Sequence, residues 1–303
     1  MIKSLASYRG SVLQPTIGII LALLKSSLIV SFMTLISRVL GLVRDVVIAT
    51  FVGAGANADV YFFANRIPNF LRRLFAEGAF AQAFVPVMSE VKEQHGEDAV
   101  RELVAKVSGT LGVIVLLLTA FAIVASPVVV MIFGTGWFID WWQGGEDAGK
   151  FEMASVLLKI TFPYLFFITF VALSGAVLNV YNRFAVAAFT PVFLNIAIIA
   201  CAILLRDTFS DPAYALAIGV FVGGLIQFLF QIPFLAKAGL LVKPKWGWND
   251  EHVKRIRLLM LPAILGVSVH QLNALVDTVI ASFLQTGSIS WLYYADRLIE
   301  FPL

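Results

Sequence analysis

The sequence predicts an all-α, polytopic membrane protein: a complete six-helix transmembrane lobe, followed by helix seven and part of helix eight of a related second lobe. Three observations carry this. Hydrophobic residues make up 60% of the chain and charged ones 14%, with a mean hydropathy of +0.90, which is more apolar surface than a soluble domain of this size can hide. The apolar residues fall into runs that reach the roughly 20 residues a helix needs to cross the hydrocarbon core. Finally, the chain echoes itself: Asp45-Val-Val-Ile-Ala-Thr-Phe51 returns as Asp277-Thr-Val-Ile-Ala-Ser-Phe283, and Tyr61-Phe-Phe-Ala-Asn-Arg-Ile67 returns as Leu292-Tyr-Tyr-Ala-Asp-Arg-Leu298. Duplicated lobes are a transporter pattern.

Residues 1–23 form an N-terminal extension, because the apolar stretch 17–24 is too short to span and leads into another apolar run without a cleavage site. The first lobe occupies 24–236 and holds six runs, at 24–52, 58–91, 104–133, 153–180, 185–205 and 214–235. Pro68 should kink or break the second. Gly219 and Gly223 in the sixth have the small-xxx-small spacing that lets helices pack closely. Residues 237–257 make a basic linker with Pro244 and two tryptophans, and 258–303 begin the second lobe, with a seventh run at 256–284 and an eighth from 290. The chain stops inside an apolar element, as a fragment would.

Lysine and arginine set the orientation, since cytoplasmic loops hold the excess. With the N-terminus inside, thirteen positive residues from the loops, among them Lys92, Arg101, Lys106, Arg183 and the linker cations, fall on the cytoplasmic side, against Lys150 and Arg206 outside. The segment with Trp137, Trp141, Trp142, Asp140, Glu146 and Asp147 is then an outer loop, anchored at the interface by its tryptophans.

Seven cations remain within the apolar runs: Arg38, Arg44, Arg66, Arg72, Arg73, Lys159 and Arg297. A cation near the bilayer centre costs at least about 2.5–3.5 kcal/mol on insertion scales, so such residues face water or a functional interior. Lys159 lies near the start of its run and can snorkel. Arg38 and Arg44 sit mid-run, and a straight helix splays them by roughly 120°; a bend at Gly41 would bring both to one cavity. Asp45 either orients Arg44 or pairs with it to stitch helices together. Asn69 and Arg72 are three apart and share a helix face, while Arg73 has the right spacing to pair with Glu77. Asp296-Arg297 in the second copy aligns with Asn65-Arg66, whereas Arg38 and Arg44 align with His270 and Val276. Fixed guanidiniums select anions, notably phosphate and carboxylate, and make poor proton carriers.

Other chemistries are poorly supported. One cysteine excludes a disulfide framework, and His95, His252 and His270 have no paired spacing for a metal; no cofactor is expected. A prenyl-phosphate transferase would need clustered carboxylates for metal or base work, but the intramembrane acids are isolated or beside arginine. The arginines also argue against a carrier of cationic drugs, leaving an exporter of another lipid-linked oligosaccharide or small molecule as the alternative transport reading.

Several long motifs in order resemble the MurJ (MviN) lipid II flippases of bacteria: Ser37-Arg-Val-Leu-Gly-Leu-Val-Arg-Asp45, Gly53-Ala-Gly55, Asp59, Pro68-Asn-Phe-Leu-Arg-Arg-Leu-Phe-Ala-Glu77, Gln82-Ala-Phe-Val-Pro86, Asn179-Val-Tyr-Asn182, Pro262-Ala-Ile-Leu-Gly-Val-Ser268 and Ser290-Trp-Leu-Tyr-Tyr-Ala-Asp-Arg297. The resemblance covers about 25–302. It implies the multidrug/oligosaccharidyl-lipid/polysaccharide exporter superfamily, with two six-helix lobes around a central cavity. It further implies transport of lipid II, the undecaprenyl-diphosphate-linked disaccharide-pentapeptide, across the bacterial inner membrane, with no enzymatic step. Matching motif positions suggest Arg38, Arg44, Asp45, Asp59, Asn69, Arg72, Ser290, Asp296 and Arg297 as substrate-binding residues. The implied partners are lipid II and membrane lipids, with other cell-wall synthesis proteins as further candidates and no nucleic acid.

Overall fold

The computed structural model describes residues 2–73 and 79–300, with side chains from Ser27 onward except Val267, Val269, His270 and Glu300. Among these residues every regular element is a helix: α1 (Ile2–Phe51), α2 (Ala56–Arg72), α3 (Ala79–Val124), α4 (Ser126–Phe133), α5 (Thr135–Gln143), α6 (Ala148–Thr161), α7 (Pro163–Val180), α8 (Phe184–Phe189), α9 (Pro191–Leu204), α10 (Pro212–Lys237), α11 (Glu251–Ala281) and α12 (Ser288–Glu300). The regions 79–124, 148–180, 184–204 and 212–237 are each long and apolar enough to cross a bilayer, and α11 joins them when its two bent parts count as one span.

Local chemistry explains the breaks. Pro163, Pro191 and Pro212 each stand in the first turn of their helices, where a missing N–H leaves nothing unsatisfied. Pro68, expected to kink or break its run, lies inside α2. Gly96 has φ 79° and ψ −172°, so α3 is two helices meeting at a kink; that left-handed φ favours glycine. The kink falls between the second and third apolar runs. The bend expected at Gly41 does not occur. α1 runs unbroken past it, and Gly41 lies against Asn195 of α9. Residues 2–23, expected as a separate extension, continue helically into α1.

Two apolar cores hold the helices together. One gathers Tyr61 and Phe63 of α2 with Trp137, Leu157, Phe162, Leu216 and Ile289; the other gathers Phe80, Phe84 and Met88 of α3 with Leu103, Leu173, Leu240, Val253 and Ile256. Many large apolar side chains point outward, Phe121 at 70% and Leu117 at 65% exposure among them, as expected where the solvent is lipid. α10 packs closely on α9. A Cβ at Gly219 would lie 2.8 Å from Ile198 Cα, and one at Gly223 2.7 Å from Leu194 Cδ1.

Charge separates along the bundle. At one end Lys106 pairs with Asp250, Lys245 with Glu102 and Arg255 with Glu90, while Arg183 donates to the Phe234 carbonyl. Lys150 and Arg206 lie at the other end, Lys150 against Thr286 and Arg206 over the Phe51 ring. The 237–257 segment is clamped to α3: Lys245 N–H donates to Ala105 O at 2.8 Å, and Gly247 N–H to Thr110 Oγ1 at 3.0 Å. Gly109 makes the approach possible, since a Cβ there would stand 2.1 Å from Lys245 O. Trp246 and Trp248 stack above the clamp, and the Arg257 guanidinium covers Trp248. Asp250 caps α11 by accepting from His252 and Val253 N–H. Partial burial would raise its carboxyl, but hydrogen bonds from Lys106 and those two amides outweigh it and hold the group below its ordinary value.

The acidic, tryptophan-rich segment departs from expectation. Its tryptophans and Asp140 fold as helix α5, while Glu146 and Asp147 lie in the turn to α6; Trp137 turns inward, 2% exposed and 5.1 Å from the Phe63 ring. Trp142, at 76% exposure, keeps the outward placement. Trp137 is drawn in because α5 packs on α4 and α6, which carries its ring into the apolar core against Phe63 of α2.

Candidate functional site

The charged residues of α1 converge with those of α12. Arg44 is buried and donates from Nε and Nη2 to Asp45 Oδ1 at 2.9 and 2.6 Å, from Nη1 to Asn195 Oδ1 at 3.0 Å, and from Nη2 to the Tyr293 hydroxyl at 3.1 Å. Asp45 Oδ2 also receives Arg297 Nε at 3.1 Å. The Tyr293 hydroxyl accepts from Arg297 and donates to Asp45. One carboxylate therefore serves two guanidiniums, and two positive charges against one negative leave this cluster with one net positive charge. Asp45 holds the Arg44 guanidinium on its own helix and, through Arg297, reaches α12: the cluster ties α1, α9 and α12.

Arg38 does not join it. Six residues earlier on an unbroken helix, it is exposed on another face, as 100° per residue requires. Arg72 donates from Nε to Asn69 Oδ1 at 2.8 Å, on the shared face that their spacing predicts. Lys159 is exposed. Glu77, the expected partner of Arg73, and the His270 side chain lie outside the described residues.

Asp59 and Ser290 meet directly. Asp59 is 2% exposed and accepts from Gly287 N–H at 2.6 Å, Ser290 N–H at 2.8 Å and Ser290 Oγ at 2.5 Å. It thus caps α12 from α2, across 231 residues of chain, supplying the acceptor that a helix start lacks. Asp296 receives Arg66 Nη2 at 3.1 Å, and Arg66 Nη1 donates to Thr278 Oγ1 at 3.1 Å.

The echoed segments therefore face one another. Phe62 stacks on its own counterpart Tyr293, with centroids 3.9 Å apart and planes 18° from parallel. Arg66 reaches Asp296, the counterpart of Asn65, while Arg297 reaches Asp45, the counterpart of Asp277. Sequence reasoning missed Asn195, Tyr293 and Thr278 as members. Asn195 carried a signal, being a polar residue in an otherwise apolar stretch of α9; the tyrosine and threonine had none beyond lying in the repeats. A cleft of about 500 Å³ opens elsewhere, lined by Asn57, Asp147, Lys150 and Tyr214 among others, with no arginine in its wall. Among the described residues no group of three or more His, Cys, Asp or Glu is placed to hold a metal.

Comparison with known proteins places this arrangement. The chain is 66% identical over 281 residues to a "Probable lipid II flippase MurJ" of Vibrio cholerae, covering 93% of this chain and 54% of that protein. It is 43% identical over 286 residues to the "Lipid II flippase MurJ" of Burkholderia cenocepacia, covering 92% and 54%. The chain thus spans about half the length of the curated relatives it matches. A solved structure titled "Lipid II flippase MurJ, inward closed conformation" superposes with a TM-score of 0.74 at 30% identity, over 91% of this chain and 55% of that one. A multi-pass bacterial membrane protein follows from the apolar helices together with these relatives. The family model described as "Lipid II flippase MurJ" matches residues 48–303, and the chain belongs to that family.

Proposed function

We propose that this chain supplies the first six-helix lobe, and the start of the second, of a carrier that moves lipid II from the inner to the outer leaflet of the bacterial cytoplasmic membrane. The N-terminus and the basic end of the bundle face the cytoplasm, where loop cations accumulate. The observation that carries the reading is the cluster in which Arg44 and Arg297 share the single carboxylate of Asp45. Its surplus positive charge, held on groups that do not deprotonate, suits a diphosphate. Arg44 and Arg297, with Arg72, engage the diphosphate and acidic headgroup, while Asn69 holds Arg72 in place; Arg38, exposed on another face of α1, lies outside this cluster. Asp59, Ser290 and Asp296 keep α12 against α2. The undecaprenyl tail stays in lipid, at a gap between the lobes.

Lobe rocking exposes the headgroup site to each side in turn. No covalent chemistry is needed. Arg44 exchanges part of its hydrogen bonding with Asp45 for bonds to phosphate, so the guanidinium is never left buried and unpaired.

The test is depletion of the full-length protein in its host, followed by measurement of lipid II accessible on the outer leaflet. Accessibility should fall and be restored by the parent protein, but not by Arg44→Ala or Arg297→Ala at equal expression. Unchanged accessibility on depletion overturns the reading, and rescue by either variant removes that arginine from it.

A further inference from the structure

The turn from α11 to α12 is held by contacts from α5 and α6, helices outside the arginine cluster. We propose that Gly136 and Lys150 are positioning residues for transport: they grip this turn to keep that end of the molecule shut, and release it when the carrier opens there. The inference rests on the alternating-access reading above.

Gly136, in the first turn of α5, donates its N–H to Ser282 Oγ at 3.0 Å. Its backbone lies so near the turn that a Cβ would stand 2.1 Å from Ser282 O and 2.9 Å from Phe283 N. Both obstructing atoms are backbone, so no side-chain rotation relieves the overlap. Here glycine is required by close approach.

Lys150, in the first turn of α6, is 5% exposed. Its Nζ donates to Thr286 Oγ1 at 2.7 Å and pairs with Asp147 Oδ2 at 2.8 Å. Thr286 donates in turn to Asp147 Oδ1 at 3.3 Å. The ammonium is therefore satisfied partly by its own helix start and partly by the turn. Asp59 caps α12 just beyond, at Gly287 and Ser290.

The character of the grip matters as much as its location. The turn's large apolar side chains, Phe283 and Leu284, face outward at 57% and 54% exposure, so this contact is made by hydrogen bonds and a backbone seat. Hydrogen bonds exchange for water at small net cost, whereas apolar burial does not. The other end of α11 is fixed differently, with Val253 and Ile256 buried in the core around Phe84 and Leu103. Leu275 and Ala281 of α11 and Ile289 of α12 are buried in the other core, so both helices keep apolar seats while the 282–287 turn between them, held by hydrogen bonds, is the part that releases. Once released, Lys150 keeps Asp147 and gains water in place of Thr286, so both states satisfy its charge.

The experiment uses the full-length protein in native membranes, with its native cysteines, Cys201 included, replaced by serine. New cysteines stand at Ala54 and Ser288, which flank the contact between Ala54 O and Gly287. Oxidative cross-linking of this pair reports the closed turn without any substrate. Gly136→Ala and Lys150→Met should each lower the cross-linked fraction by about fivefold, the effect of a small shift between two states. Gly149→Ala, where a Cβ meets nothing within 4 Å, should leave it unchanged. Thr286→Val removes the turn's side of the grip without bulk in α5 and should act like Lys150→Met, which keeps the test decisive if Gly136→Ala does not fold. Parental cross-linking in folded Lys150→Met and Thr286→Val overturns the proposal. If these variants open the turn while depletion leaves lipid II accessibility unchanged, the transport reading fails and the grip stands.

Discussion

Asp45 and Tyr293 show how much of a charged cluster rests on its neutral members. The Tyr293 hydroxyl accepts from Arg44 and Arg297 and donates to Asp45, so Tyr293→Phe removes three bonds while keeping the ring stack on Phe62. It should destabilise the protein by about 1–3 kcal/mol, the cost of leaving buried polar groups unpaired, read as a lower thermal midpoint in detergent. A midpoint equal to the parent's would mean that the hydroxyl does not organise the arginines. Arg44 and Asp45 were legible in the sequence because charge in an apolar run is costly enough to announce itself. Asn195 announced little: its partner Arg44 lies 151 residues away, and a neutral amide in a helix has innocuous explanations.

Among the elements, glycines divide sharply by what surrounds them. The sequence singles out Gly41 as a bend in its helix, and not Gly96. Gly41 stays helical beside Asn195, whereas Gly96 takes φ 79° in the polar stretch from Glu93 to Asp98, where water can serve the freed backbone groups. Run boundaries were therefore readable from charge, but the identity of the bend was not. The inward turn of Trp137 was equally hidden, since it depends on the ring meeting Phe63 of α2, a contact that no local pattern records. The clamp of the linker on α3 yields a prediction: Gly109→Ala places a methyl 2.1 Å from Lys245 O, so the segment must lift. Limited trypsin digestion should then cut after Lys245 faster than in the parent, and parental resistance would show that the segment is held by its ion pairs alone.

For the molecule as a whole, the repeat in the sequence proved more informative than any single motif. It predicted related helices; the structure adds that α2 and α12 meet along the repeated segment itself. Arg66 and Asp296 bridge that seam at 3.1 Å, with side chains 19% and 50% exposed. A double-mutant cycle of Arg66→Ala and Asp296→Ala in the full-length protein should show a coupling of about 0.5–1 kcal/mol, modest because the carboxylate is half exposed. Additive single effects would show that the seam is held by ring stacking and by the Asp59 cap.

The stack of Phe62 on Tyr293 has a consequence for inheritance. In a duplicated protein the two copies usually drift apart freely, each answering to its own surroundings. Here one copy is the other's surroundings. Enlarging Phe62 or charging Tyr293 changes both records at once, and a tolerated change on one side narrows what the other side can become. Residues at such a seam should therefore vary in pairs across related chains, while equally buried residues away from it vary singly.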